Sequence, residues 1–122
     1  MKRFLAYSRG RLSAFGYAFR GAYDLLRNHA PSKIHMAAFV AMFALSWVLD
    51  FPLWKWVAFF ICSGMVLAAE ALNTAVEYVV DLVSPEYNIL AGKAKDVAAG
   101  AVLFTAVFSG LVAILLVVDA LL

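Results

Sequence analysis

The chain has 122 residues, of which 66% are hydrophobic and 15% are charged. Soluble domains are about 45–50% apolar and about 25% charged, so this composition argues against a water-soluble globule. The formal net charge of +2 is too small for a nucleic-acid-binding protein. One membrane span takes about 20 apolar residues, so three spans would use about half the chain. The sequence therefore predicts a single membrane-embedded domain over residues 1–122.

The first predicted element is an amphipathic helix over residues 3–28. Apolar side chains recur every three or four residues on one face, namely Leu12, Phe15, Phe19, Ala22 and Leu26. A second face carries Ser13, Asp24 and the cationic stripe, which we define as Arg9, Arg20 and Arg27. Helices of this kind lie in the lipid headgroup region, with the cations attracted to anionic lipid. The pattern predicts a surface helix rather than a span.

Three apolar segments follow a predicted break at Pro31 and Ser32. They cover residues 33–49, 53–82 and 97–118, and the last of them has no charged residue. Tryptophans typical of a membrane interface surround the first turn, namely Trp47, Trp54 and Trp56. A polar link covers residues 84–96, where Ser84 and Pro85 favour an ordinary helix start.

The distribution of Lys and Arg predicts the orientation. Cations are concentrated before the first span and return in the second link, whereas the first turn has only Lys55. Because positively charged loops stay cytoplasmic, the N-terminus is predicted inside and the C-terminus outside. The predicted fold is an all-α integral membrane bundle, with one amphipathic surface helix and three transmembrane helices.

The third segment carries an acidic stripe, which we define as Glu70, Asn73, Glu77 and Asp81. At 3.6 residues per turn these side chains fall within about 80° of one helix face. Glu70 lies roughly 24 Å from Trp54 along a hydrocarbon core of about 30 Å, and Glu77 lies about 10 Å further on, at the headgroup surface. A row of acids from lipid depth to water suits a reaction between a membrane-embedded and a soluble substrate.

The acids also have a structural interpretation, because intramembrane acids serve as ion-pair or oligomer-fixing groups. Cations are scarce at the depth of Glu70. Lys93 and Lys95 belong to the second link, and we expect them to meet Glu77 or Asp81 instead. This favours a role for Glu70 that depends on its proton.

The sequence motifs match a known family. The run Glu70–Glu77 reads EALNTAVE and is followed by Asp81, Glu86-Tyr87 and Ala94-Lys95-Asp96, while Gly16-Tyr17 and Gly21 lie in the surface helix. The chain thereby resembles the prokaryotic diacylglycerol kinases, which include undecaprenol kinases. The resemblance implies a homotrimer of the bacterial cytoplasmic membrane that transfers the γ-phosphate of ATP to a lipid hydroxyl with Mg²⁺. The lipid would be diacylglycerol or undecaprenol, and the sites would lie between subunits on the cytoplasmic side.

The resemblance also implies a role for each matching residue. Glu70 would be the general base, Asn73 would orient groups in the site, and Glu77 would ligate Mg²⁺. Glu70 and Ala99 would contact the lipid. The nucleotide would be bound by Tyr17, Glu77, Glu86, Tyr87, Asn88, Lys95 and Asp96. No glycine-rich phosphate loop is present, so side chains and metal must hold the phosphates.

Some of these residues have other readings. Lys95 and Asp96 also fit the interfacial start of a helix, and Tyr17 fits a belt aromatic. His29 stands where the family usually has a second acidic metal ligand, and imidazole is a poor ligand for Mg²⁺. A catalytically weakened family member is therefore one alternative. A non-catalytic membrane subunit or an ion or proton pathway is another, which leaves the Lys95-Asp96 motif unexplained.

Overall fold

The computed structural model describes residues 2–122, with side chains from residue 13 onward. Within that range it consists of four helices without strands: α1 (Lys2–Asn28), α2 (Ala30–Val48), α3 (Leu53–Val83) and α4 (Ile89–Leu121). Helices α2, α3 and α4 are long and apolar enough to cross a membrane, which confirms the predicted helical membrane bundle. The side chain of Arg9 in the cationic stripe lies outside the described part. The inside or outside orientation stays a prediction.

Helix α2 begins earlier than the sequence predicts. Pro31 lies in its first turn, where a backbone N–H would have no acceptor within the helix. Proline therefore loses no hydrogen bond there, and the helix begins before it. His29 is the only residue between α1 and α2, with φ −106° and ψ 118°. Its backbone N–H still donates to the Leu25 carbonyl at 3.2 Å. The break between the surface helix and the first span is therefore a one-residue hinge.

Helix α4 also begins early, at Ile89 rather than at residue 97. The Asn88 side chain accepts hydrogen bonds from the backbone N–H groups of Leu90 at 2.8 Å and Ala91 at 3.4 Å, which caps the helix. The alternative helix start at Ser84 is wrong, because Ser84 is the residue at which α3 ends. Its hydroxyl donates to the Glu86 carbonyl at 3.2 Å instead of accepting from a backbone N–H of a new helix. Lys95 and Asp96 consequently lie within a helix and not in the polar link.

Helices α3 and α4 form the main packed pair, with Phe59, Val66 and Leu116 buried. At the end of the pair where α3 begins, the buried Lys55 Nζ lies 2.8 Å from Asp119 Oδ2 and donates to the Leu116 carbonyl at 2.9 Å. An aromatic cluster joins α2 to the same end of α3, and it comprises Phe39, Phe43, Trp56, Phe59 and Phe60. These contacts fix the bundle far from the acidic stripe.

Among the side chains that the structure describes, helix α1 packs through its last turns. Its described residues 13–23 are all exposed, and Leu25 is its first buried side chain. The exposed apolar side chains include Phe15 and Phe19, as expected for a helix that lies against lipid or another subunit.

Candidate functional site

The buried centre of the site is Glu70, which is only 2% exposed. Ser32 on α2 is completely buried opposite it, and its hydroxyl donates to Glu70 Oε1 at 3.4 Å. A carboxyl group in an apolar span is costly unless it is hydrogen-bonded, and such residues usually have a function. The pair therefore places a carboxyl group inside the helix bundle, with one hydroxyl donor beside it.

One turn further along α3, Asn73 extends the stripe toward the helix end. Its Nδ2 donates to Glu77 Oε1 at 2.9 Å. The Asn73 Oδ1 atom and the neighbouring Thr74 Oγ1 are buried and have no hydrogen-bond partner in the described part of the chain. Because buried polar atoms are almost always paired, each of these two oxygens is left with an unused hydrogen-bonding or ligating capacity.

The donor set near Glu77 fits Mg²⁺ in part of its coordination shell. Residues 13–122 hold no group of three or more His, Cys, Asp or Glu side chains that would enclose a metal. Mg²⁺, however, commonly binds one or two carboxylates and takes its other ligands from phosphates and water. The Glu77 carboxylate and the unpartnered Asn73 Oδ1 are oxygen donors of the required kind.

A hydrogen-bonded junction lies beside Glu77 and involves residues that the motifs do not single out. We define the Tyr78 junction as Asp24, Asn28, His29 and Tyr78. The Tyr78 hydroxyl donates to Asp24 Oδ2 at 2.7 Å and lies 2.9 Å from His29 Nε2. Asn28 Nδ2 donates to Asp24 Oδ1 at 2.6 Å. The hydrogen bonds from Tyr78 and then Asn28 lower the pKa of Asp24 below its usual value.

Sequence reasoning missed Tyr78 for a geometric reason. Eight residues beyond Glu70, its side chain points about 60° outside the edge of the acidic stripe. A search along one helix face therefore passes over it. The available signal was a tyrosine directly after Glu77 in a segment whose other neighbours are aliphatic.

Lys95 on α4 contacts the Asp81 end of the acidic stripe. Its Nζ lies 2.6 Å from Asp81 Oδ1, as expected from the sequence, although the pair is largely exposed. The other predicted nucleotide residues are spread over the surface: Tyr17, Glu86, Tyr87, Asn88 and Asp96, together with Ala99 for the lipid. Within the described side chains none of these forms a hydrogen bond or ion pair with the acidic stripe. One chain thus brings together Glu70, Asn73, Glu77, Asp81 and Lys95 but leaves the remainder apart.

An apolar cavity of about 200 Å³ lies between α2, α3 and α4. It is lined by His35 one turn after Ser32, by Val66 and Leu67 one turn before Glu70, and by Leu116 on α4. The cavity thus extends from about one turn short of Ser32 and Glu70 toward Phe59 and Leu116, and neither Ser32 nor Glu70 lines it.

Comparison with known proteins gives a consistent family. The prokaryotic diacylglycerol kinase family model matches residues 16–117. The chain is 34% identical to the undecaprenol kinase of Bacillus subtilis (strain 168) over 103 residues, 84% of each chain. It is 32% identical to a diacylglycerol kinase of Sinorhizobium sp., covering 87% of this chain and 77% of the relative. It is also 32% identical to the diacylglycerol kinase of Escherichia coli (strain K12), over 75% of each chain.

Proposed function

Because the chain belongs to the prokaryotic diacylglycerol kinase family, we propose that this membrane lipid kinase transfers the γ-phosphate of ATP to a lipid hydroxyl at the cytoplasmic surface of the bacterial inner membrane. The observation that carries this proposal is the buried Glu70–Ser32 pair, at the inner end of a polar stripe that reaches the exposed Asp81. The lipid hydroxyl and the nucleotide meet along this stripe.

In the proposed reaction Glu70 accepts the proton of the lipid hydroxyl. The lipid oxygen forms a bond to the γ-phosphorus, the bond from that phosphorus to the β–γ bridging oxygen breaks, and ADP leaves. Phosphoryl transfer depends mainly on positioning and charge neutralisation, so one base and a set of phosphate-binding groups suffice. Ser32 holds the Glu70 carboxyl group in place through its hydrogen bond.

The Glu77 carboxylate and Asn73 Oδ1 are the residues that would hold Mg²⁺. Magnesium supplies neutralisation of the phosphate charge. The Asn73–Glu77 hydrogen bond leaves the second Glu77 oxygen and the Asn73 carbonyl oxygen as donors. His29 is a weaker candidate for this role, because its Nε2 is engaged with Tyr78.

The scattered nucleotide residues support a site shared between subunits, and the homotrimer that the family resemblance implies is part of the proposal. Lys95 is paired with Asp81 at the stripe, whereas Tyr17, Glu86 and Tyr87 are exposed on other surfaces. A site assembled from adjacent subunits would bring such scattered groups to one nucleotide. Asn88 and Asp96 belong to the same proposed set, with Ala99 facing the lipid.

The apolar cavity supports a lipid acceptor, because its walls are mostly apolar and it ends about one turn of α3 from Glu70. Diacylglycerol and undecaprenol both present a primary hydroxyl attached to apolar chains. The relatives carry both names, so both lipids are candidate substrates of this chain.

The proposal is tested with purified protein in lipid nanodiscs, labelled ATP, Mg²⁺ and either diacylglycerol or undecaprenol. We expect transfer of label to one or both lipids, and omission of Mg²⁺ should stop it. Absence of phosphorylated lipid with both acceptors would contradict the kinase assignment and favour a non-catalytic subunit or ion pathway. Weak transfer that His29→Glu restores would instead indicate a weakened family member.

A further inference from the structure

We propose that Tyr78 is a positioning residue whose hydroxyl, through Asp24 and His29, fixes the angle of the surface helix α1 over the acidic stripe of α3. Its effect on catalysis rests on the proposed function, but the junction itself does not. The proposal assigns to position 29 a role in the junction rather than a ligand bond to metal.

The Tyr78 hydroxyl has one proton to donate and two polar neighbours within hydrogen-bond distance. An ionised Asp24 carboxylate only accepts hydrogen bonds, so the single Tyr78 proton is given to Asp24 Oδ2 at 2.7 Å. The contact of 2.9 Å to His29 Nε2 then requires that this nitrogen carries a proton. A protonated Nε2 has no lone pair for a metal, which leaves only Nδ1 free in the neutral ring.

The Tyr78 junction lies where α1 ends and α2 begins. His29 is the one-residue hinge between α1 and α2, Asp24 lies in the next-to-last turn of α1, and Tyr78 belongs to α3. The hydroxyl of this α3 residue therefore contacts both α1 and the hinge residue itself. The His29 and Tyr78 rings also pack edge to face, with centroids 5.7 Å apart.

Few other described contacts hold α1 against α3. The α1 side chains from residue 13 to residue 23 are all exposed, and the helix packs more on α2 than on α3. Asn28 keeps Asp24 oriented by donating to its second oxygen at 2.6 Å. The junction is thus the main polar connection between the surface helix and the helix that carries the stripe, within the described side chains.

The angle of α1 determines where the proposed nucleotide contact on that helix lies. Tyr17, one of the proposed nucleotide contacts, lies seven residues before Asp24, or about 10 Å along the helix axis. A tilt of about 20° at the junction would move it by roughly 3.5 Å, which exceeds the tolerance of a stacking or hydrogen-bond contact. Tyr78 is also adjacent in sequence to Glu77, so a displaced α1 would face the metal end of the stripe differently.

The test uses Tyr78→Phe, which keeps the ring that packs on His29 and removes only the hydroxyl. Tyr23→Phe is the matched control, because among the described side chains the Tyr23 hydroxyl accepts a hydrogen bond from Arg27 of its own helix and none from α3. Spin labels at the exposed positions 19 and 82, in a Cys62→Ser background, report the α1–α3 distance in nanodiscs without nucleotide. We expect a narrow distribution in the parent and in Tyr23→Phe, and a broad or shifted one in Tyr78→Phe and Asp24→Asn.

Two further readouts separate positioning from general damage to the fold. Nitrogen-15 spectra of the two histidines should show a protonated Nε2 in His29 that loses its hydrogen bond in Tyr78→Phe, with His35 as the internal reference. For lipid phosphorylation, KM for ATP should rise roughly fivefold, which corresponds to one hydrogen bond of about 1 kcal/mol, while kcat stays within about twofold.

A distance distribution and a KM in Tyr78→Phe that match those of Tyr23→Phe would overturn the proposal. So would an imidazole signal that broadens on addition of Mn²⁺ through direct ligation of His29. If the parent protein phosphorylated neither lipid, the distance and nitrogen-15 measurements would still decide the junction, whereas the proposed function would fail by itself.

Discussion

The Ser32 hydroxyl on α2 donates to the Glu70 carboxyl on α3 at 3.4 Å, and both side chains are buried in a helix pair that spans the membrane. Glu70 has no other hydrogen-bond donor in the described part of the chain. The orientation of the proposed base therefore depends on a neighbouring helix, and the substrate hydroxyl would arrive as its second partner.

Ser32→Ala tests this dependence. Loss of the donor leaves a buried carboxyl group unpaired, and we expect kcat to fall roughly five- to tenfold, as for one hydrogen bond of about 1–1.5 kcal/mol, with little change in KM for ATP. Ser46→Ala is the control, because Ser46 is equally buried on α2 but bonds to the Met42 carbonyl of its own helix. Equal activities of the two variants would show that Ser32 does not orient the base.

Glu77→Gln tests the proposed metal position. Replacing a carboxylate ligand by an amide should raise the Mg²⁺ concentration for half-maximal activity at least about tenfold, because Mg²⁺ prefers charged oxygen ligands. A Mg²⁺ titration at saturating ATP measures the change. His29→Gln keeps an N–H donor toward Tyr78 and should leave that titration nearly unchanged; a shift as large as that of Glu77→Gln would place position 29 in the metal site.

Lys55→Met tests what holds α3 to α4 at the end opposite the acidic stripe. Lys55 is 3% exposed and satisfies both the Leu116 carbonyl and Asp119, so its removal should destabilise the protein by about 1–3 kcal/mol. Asp119→Asn should cost less than Lys55→Met, because Asp119 is mostly exposed and the Asn oxygen can still accept a hydrogen bond from the Lys55 ammonium. Unfolding in mixed micelles measures both; a larger loss in Asp119→Asn would contradict this ranking.

The pH dependence of the Tyr78 junction follows from Asp24. Hydrogen bonds from Tyr78 and then Asn28 hold the pKa of Asp24 below its usual value of 3.8. A lowered pKa means that the carboxylate contributes to stability above the ordinary value, and that this contribution disappears as the pH falls through the folded value. The α1–α3 distance distribution should therefore be constant from about pH 8 to pH 5 and broaden only under stronger acid. Broadening near pH 6 would show that another group controls the junction.

Sequence periodicity predicted the features that depend on the residue pattern within a single helix. The surface helix, the apolar spans and the placement of Glu70, Asn73, Glu77 and Asp81 on one face all follow from local spacing. The early start of α4 was missed because residues 84–96 were interpreted as a polar link, whereas the Asn88 cap starts the helix before its charged residues. Ser32 and Tyr78 were missed because their importance comes from contacts 38 and 54 residues away in sequence.

Glu70→Gln tests the central claim most directly, with Asp50→Asn as a matched change from acid to amide. Asp50 lies in an exposed turn with φ 48°, a conformation that Asn tolerates well. Single-turnover transfer from labelled ATP to lipid should fall by at least about 100-fold in Glu70→Gln, as for loss of a general base, while Asp50→Asn transfers at the parent rate. Transfer by folded Glu70→Gln at the rate of the Asp50→Asn control would contradict the assignment of Glu70 as the base.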